Sequence, residues 1–165
     1  MQLPQSIHSK IFADREATRT TLAQWAEEGQ NIVFTNGCFD ILHKGHIDYL
    51  YEASKLADKM VIGLNTDASV SRLKGEGRPV NNNEARSLII AALGFVDMVV
   101  FFGEETPKDL IEVIQPDVLT KGSDYIAENI VGYDTVMAKG GEVITIDLTE
   151  GFSTTALIER IKKAY

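Results

Sequence analysis

The chain has one cysteine, no long apolar run and no surplus of positive charge. Each shortage removes a class of protein. Cys38 alone cannot close an internal disulfide, which fits a reducing compartment. No stretch approaches the roughly 18 consecutive apolar residues of a membrane span. The N-terminus shows no charged-then-apolar leader pattern. A cytoplasmic location with no membrane partner is therefore expected. The formal net charge is -8, whereas a nucleic-acid surface needs a basic face, so no nucleic-acid partner is expected either. Internal repeats, low-complexity tracts and obvious linkers are also missing.

What remains is an ordinary composition. With 165 residues, 44% hydrophobic and 24% charged, the chain is expected to form one domain with a sizeable core. Charge is uneven along it. Acidic residues outnumber basic ones from residue 101 onward, while residues 72–86 carry Arg72, Lys74, Arg78 and Arg86 against Glu76 and Glu84. That basic cluster suits an anionic small molecule.

Short, largely β-branched runs alternate with helical patterns. Ile32–Phe34, Met60–Leu64, Met98–Phe101, Asp117–Leu119 and Glu142–Ile146 read as parallel strands buried on both faces. Helices are expected over 15–28, His46–Ala57, Glu84–Leu93, Pro107–Ile114, Tyr133–Lys139 and Thr154–Lys163. The alternation predicts an α/β fold, a doubly wound five-stranded parallel sheet with helices on both faces. Residues 1–30 are assigned to an N-terminal extension and first helix, the first 14 loosely held, and 31–165 to the main domain. Such sheets bind ligands at the carboxyl ends of their strands.

The segment Thr35-Asn36-Gly37-Cys38-Phe39-Asp40-Ile41-Leu42-His43-Lys44-Gly45-His46 follows the first of these strands and holds two of the three histidines. Imidazole N–H groups can donate to phosphate oxygens, and a helix starting near Gly45 adds free backbone N–H groups. A His-x-x-His pair also suits a metal, yet only His8 remains to complete a set, which favours phosphate over zinc. Polar or glycine-bearing stretches follow other strands: Asn65-Thr66-Asp67, Lys121-Gly122-Ser123-Asp124 and Glu150-Gly151-Phe152-Ser153-Thr154-Thr155.

Gly37-x-Phe39-Asp40-x-x-His43-x-Gly45-His46, together with Ser153-Thr154-Thr155, resembles the signature of the cytidylyltransferase-like nucleotidyltransferases. Asn65-Thr66-Asp67-Ala68-Ser69-Val70, Arg72-Leu73-Lys74-Gly75, Arg78-Pro79-Val80-Asn81, Lys121-Gly122-Ser123-Asp124-Tyr125 and Gly140-Gly141-Glu142-Val143 resemble its heptose 1-phosphate adenylyltransferase branch. The resemblance covers about residues 20–163. Ser123 stands where a second glycine is common, and Asn82-Asn83 replaces a more usual proline-containing pair.

The resemblance implies a Rossmann-like nucleotidyltransferase domain, stand-alone rather than fused to a sugar kinase. It would transfer AMP from ATP to heptose 1-phosphate with release of pyrophosphate. Implied catalytic residues are His43, His46, Lys44, Arg86, Ser153 and Thr154. Implied nucleotide contacts are Thr35, Asn36, Gly37, Phe39, Asp40, Gly45, Asn65, Lys121, Gly122, Asp124 and Thr155, and Lys74 and Arg78 would bind the acceptor. Several have plainer readings. Ser153 would be an ordinary N-cap, Lys44 and Lys74 solvated lysines, Arg86 a surface ion pair with Glu84 or Asp97, and Asp124 a turn residue. Asp40 would orient a histidine, support magnesium or cap its loop.

The acceptor phosphate is already anionic at neutral pH, so no general base is required. Mg2+ is expected to arrive with ATP, because the sequence shows no dedicated carboxylate cage. The resemblance also implies a homo-oligomer, for which Phe95, Val96, Met98, Phe101 and Phe102 offer either an apolar contact or simply a buried strand. A glycerol 3-phosphate cytidylyltransferase-like enzyme using CTP and a non-catalytic nucleotide-binding regulatory module are the alternatives.

Overall fold

The computed structural model describes residues 5–164. Six strands form one all-parallel sheet: β1 (Ile11–Phe12), β2 (Ile32–Gly37), β3 (Lys59–Asn65), β4 (Met98–Phe102), β5 (Val118–Gly122) and β6 (Glu142–Ile146), in the spatial order β1-β4-β3-β2-β5-β6. The sheet thus has one strand more than the five expected. The addition, β1, lies in the stretch read as a loose extension. Ile11 and Phe12 pair with Val99 and Val100 of β4, and the Lys10 ammonium donates to the Val96 carbonyl at 2.6 Å. Two residues are too few to show a period of two, so no pattern could announce this strand. Residues 1–4 of the expected extension lie outside the described part.

Eight α-helices connect or flank the strands: α1 (Gln5–His8), α2 (Arg15–Glu27), α3 (Lys44–Ser54), α4 (Asp67–Lys74), α5 (Asn83–Ala91), α6 (Lys108–Ile114), α7 (Tyr133–Ala138) and α8 (Thr154–Ala164). The helix over Asp67–Lys74 is not among those the sequence pattern predicts. Its ends are nevertheless marked: Thr66 caps the start, accepting from Ser69 N at 3.4 Å, and Gly75 ends it at φ 92°, in the region that favours glycine.

Alternation along each strand divides the core into two layers. Ile32, Phe34, Val61, Met98, Val100 and Phe102 pack on one face with Leu22 of α2 and with Leu110 and Ile111 of α6. Val33, Met60, Ile62, Leu64 and Val99 pack on the other with Leu50 and Ala53 of α3 and Ile90 of α5. Of the apolar run at 95–102, Val96, Met98 and Phe102 are buried in this core, so the run serves mainly as the buried strand.

The chain order places the site. From β2 the chain steps outward through β3 to β4, then returns to the other side of β2 for β5 and β6. The reversal opens a crevice between the carboxyl ends of β2 and β5, the position at which doubly wound sheets take ligands. The Lys121 ammonium spans that seam, donating to the Asn36 carbonyl at 2.8 Å.

Candidate active site

A cleft of about 700 Å3 lies over this switch point. Its floor comes from the end of β2. Thr35 is buried, with its hydroxyl 2.8 Å from the Tyr49 hydroxyl and donating to the Thr120 carbonyl at 3.0 Å. Tyr49 also bonds the Thr120 hydroxyl at 3.1 Å. One buried network thus joins β2, β5 and α3 beneath the site.

The histidine pair sits at the start of α3. His43 is its N-cap, with extended backbone, and its Nδ1 accepts from the His46 amide at 3.4 Å. An Nδ1 that accepts leaves the ring proton on Nε2, where it is free to donate elsewhere. The two rings stack with centroids 3.8 Å apart, and Phe39 meets the His46 ring edge-on at 5.5 Å. Burial lowers the pKa of both rings. His46 is pushed down to about 4, with the neighbouring His43 adding to the effect. A proton on either ring would face the other across a van der Waals gap, so both imidazoles are neutral donors at neutral pH. The His46 Nδ1 is buried and has no partner among the described residues.

Gly45 lies between the histidines for a steric reason. A Cβ there would fall 3.1 Å from the Phe152 Cβ and 3.2 Å from the His43 Nδ1. The missing side chain lets the His43 ring and the segment before α8 close on the start of α3. Ser153 then caps α8, its hydroxyl accepting from the Ala156 amide at 3.0 Å. Ser153, Thr154 and Thr155 all line the cleft, where an N-terminal helix end presents unpaired N–H groups to an anion.

The rest of the expected set falls into three groups. Asn36, Gly37, Phe39, Asn65, Lys74, Arg78, Lys121, Gly122 and Asp124 line the cleft. Burial lowers the Lys121 ammonium to about 8, against the opposing pull of Cys38 and Asp124. Asn65 is held by its own amide, which donates to the Ser69 hydroxyl at 3.0 Å.

Asp40 reaches the cleft wall with its carboxylate already occupied. One oxygen accepts from Arg78 Nε at 2.6 Å, the other from the amides of Val80 and Asn81 at 2.7 and 2.9 Å. Burial alone would raise this carboxyl, but those two amides and the guanidinium outweigh it and hold it below the ordinary value. Asp40 therefore pins the segment around Arg78 to the loop that leads into His43.

Two expected catalytic residues are not in the cleft lining. Arg86 is 0% exposed, and its guanidinium is committed on every side. It donates to the carbonyls of Asn81 at 3.0 Å and Cys38 at 2.7 Å, and to the side chains of Asp67 and Asn83, both at 2.7 Å. Its ion-pair partner is Asp67, not Glu84 or Asp97. The fork that suits phosphate here staples three chain segments together. Lys44, exposed on the first turn of α3, pairs with Asp48 one turn along. Asp48 also accepts from Thr149 at 2.7 Å, which ties α3 to the segment before α8.

Several cleft residues were not singled out from sequence: Phe102, Glu105, Pro107, Tyr125, Leu148 and Phe152. Phe102 ends β4 and the others belong to stretches following strands, and that position is the one signal that could have found them. No group of three His, Cys, Asp or Glu side chains gathers to hold a metal among the described residues. The donor set fits a cation carried in by phosphate oxygens, with Asp124 as the cleft carboxylate beside Lys121.

Comparisons with known proteins bear on the family and the fold. Curated relatives include the Bifunctional protein HldE of Nitrobacter hamburgensis, 57% identical over 151 residues, which cover 92% of this chain and 31% of that protein. The protein of the same name from Mesorhizobium japonicum is 48% identical over 155 residues, covering 94% and 31%. The chain thus spans about a third of the length of these relatives. The solved lipopolysaccharide core biosynthesis protein from Thermoplasma volcanium GSS1 superposes with a TM-score of 0.60 at 30% identity, covering 73% of this chain and 98% of that one. Pantoate-beta-alanine ligase from Francisella tularensis shares the fold at a TM-score of 0.62 and 15% identity, covering 92% of this chain and 76% of that one. Residues 34–160, which run from β2 into α8 and include every cleft residue named above, match the cytidylyltransferase-like family, and the chain belongs to it.

Proposed function

We propose that the protein transfers AMP from ATP to heptose 1-phosphate, giving ADP-heptose and pyrophosphate. One observation carries this reading. The stacked neutral pair His43 and His46, the helix end at Ser153–Thr155 and the cations Lys74, Arg78 and Lys121 line a single cleft at the switch point of the sheet. That is donor chemistry for two phosphorylated substrates side by side. The names and identities of the HldE relatives, and the lipopolysaccharide core biosynthesis protein among solved structures, support a bacterial surface-glycan precursor as acceptor.

The chemistry asks little of the protein beyond placement and charge. An acceptor phosphate oxygen attacks the α-phosphorus of ATP. The bond to the bridging oxygen breaks, and pyrophosphate leaves with that electron pair. No proton need be removed from the nucleophile. His43 Nε2–H and the His46 ring donate to oxygens on which negative charge grows. The α8 amides and the Ser153 and Thr154 hydroxyls hold the outer phosphates, and Lys74 and Arg78 bring in the acceptor. Mg2+ bound with the nucleotide would neutralise phosphate charge, with Asp124 the carboxylate available to it. Two polyanions are thereby held together without a covalent intermediate.

Pyrophosphate release tests the reading. ATP with heptose 1-phosphate should give release, and CTP with glycerol 3-phosphate should not. Release with CTP alone would sink the adenylyl assignment. Tight nucleotide binding without release from any acceptor would point instead to a regulatory module.

A further inference from the structure

We infer that Glu105 determines acceptor specificity: its carboxylate accepts hydrogen bonds from sugar hydroxyls, in a subsite completed by Lys74 and Arg78. This rests on the reading of the cleft as one that takes a phosphorylated sugar.

Glu105 lies in the turn between β4 and α6 and lines the cleft with Phe102 and Pro107. The turn is fixed from several sides. The Thr66 amide donates to the Phe102 carbonyl at 2.9 Å, and Arg72 donates to the Gly103 carbonyl. The adjacent Glu104 is occupied, accepting from the Gly103 amide at 2.8 Å and pairing with Arg15 at 3.2 Å. Glu105 differs. It makes no hydrogen bond and no ion pair with any described residue, although Lys74 and Arg78 line the same cleft. A fixed turn therefore presents an uncommitted carboxylate to the ligand space.

Of the other carboxylates in the cleft lining, Asp40 is taken up by Arg78 and Asp124 lies beside Lys121, whereas Glu105 has no cation on it. It repels a phosphate that enters, and a neutral donor suits it better. A polyol is such a partner, because hydroxyl donors to a carboxylate make short, strong hydrogen bonds. A metal is the poorer candidate: among the described residues, no three acidic, His or Cys side chains assemble here or elsewhere.

The layout separates the two substrates. On the β5 side, Tyr125 offers an exposed flat ring, which suits a base. On the β3–β4 side stand Lys74, Glu105 and Arg78, the last with its Nε held by Asp40, a set that suits a single phosphate attached to a hydroxyl-rich ring. Glu105 is exposed in the free protein, so an acceptor that covers it without the matching hydroxyls would strip its water and leave the charge unpaired, which disfavours that acceptor.

The experiment uses the whole protein, pyranose 1-phosphates with hydroxyls intact and singly deoxygenated, and the variants Glu105→Gln and Glu105→Ala. Steady-state kinetics are followed by pyrophosphate release. Glu105→Ala should raise the KM for the full acceptor at least about tenfold and leave the KM for ATP unchanged. The wild type should discriminate against one deoxygenated acceptor, and the variant should lose that discrimination while Glu105→Gln retains part of it. An acceptor KM that stays the same or falls would overturn the proposal, because the carboxylate would then only repel. So would a shift in Mg2+ requirement at constant acceptor KM.

Calorimetric binding of the same sugar phosphates separates this from the functional reading. Normal binding without pyrophosphate release would refute the transferase reading alone, and Glu105 would then be judged by affinity in the same variants. Failure of the wild type to bind any sugar phosphate would refute both.

Discussion

Replacing Arg86 with lysine separates two roles for a buried cation. The guanidinium serves four acceptors in different directions: the Asn81 and Cys38 carbonyls and the Asp67 and Asn83 side chains. Lysine keeps the charge but concentrates its donors at one point, so it can hold Asp67 while leaving at least two neutral acceptors unpaired. Each buried orphan costs about 1–3 kcal/mol. The Asp67 side chain is 39% exposed, so solvent cushions any weakening of the ion pair itself. Two such orphans sum to about 2–6 kcal/mol of lost stability. At roughly 2–4 °C per kcal/mol for a domain of this size, Arg86→Lys should melt about 4–24 °C below the wild type. Thermal and denaturant unfolding measure this directly. Turnover below the transition should fall as well, because Cys38 and Asn81 anchor the loops that carry His43 and Arg78. One result would refute the reasoning: wild-type melting together with a loss of turnover of ~hundredfold or more, the size expected when a group that contacts the transition state is removed. Arg86 would then act on the reacting phosphates, not on the frame.

Two further outcomes follow from the site. His46→Ala should lower turnover by about tenfold to a hundredfold, the scale of losing one preorganised donor. With that ring held at about 4, an acid-side loss of activity near pH 6 belongs to the acceptor phosphate and should persist in His46→Asn; a step that vanishes in that variant would show a charged histidine at work. Lys121 titrates at about 8, so its ammonium is present below that pH and lost above it. The KM for ATP should rise as pH passes upward through that value, and Lys121→Met should bind ATP more weakly with no such step.

Much of this was legible in the chain because parallel strands buried on both faces leave continuous apolar runs. Glu142–Ile146 has the same bounds in sequence and structure, and β2 to β5 were located to within a few residues. The histidine motif, Lys121-Gly122 and Ser153-Thr154-Thr155 were visible as polar sequence after strands, and all line the cleft except Lys44 within the first. Harder to read were features that depend on direction. Nothing in the residues near Arg86 shows that its guanidinium points inward to Cys38, 48 positions away in sequence. By contrast, Lys44 and Asp48 stand four apart on one helix, a spacing that already offers Lys44 a partner other than a phosphate. The short β1 exists because β4 offers it an edge, a tertiary cause with no local trace. The acidic and aromatic lining at Glu105 and Tyr125 belongs to turns, where composition says little about which side chain faces a ligand.

The reversal of strand order has an evolutionary consequence. The wall bearing Lys74, Arg78 and Glu105 is encoded in one uninterrupted stretch, and the wall bearing Lys121, Asp124 and Ser153 in the next. The histidines precede both. Selection acting on one stretch can thus retune one substrate while the code for the other, and for the bond-making centre, stays untouched. On the function proposed above, such a gene can diversify its sugar without relearning its nucleotide.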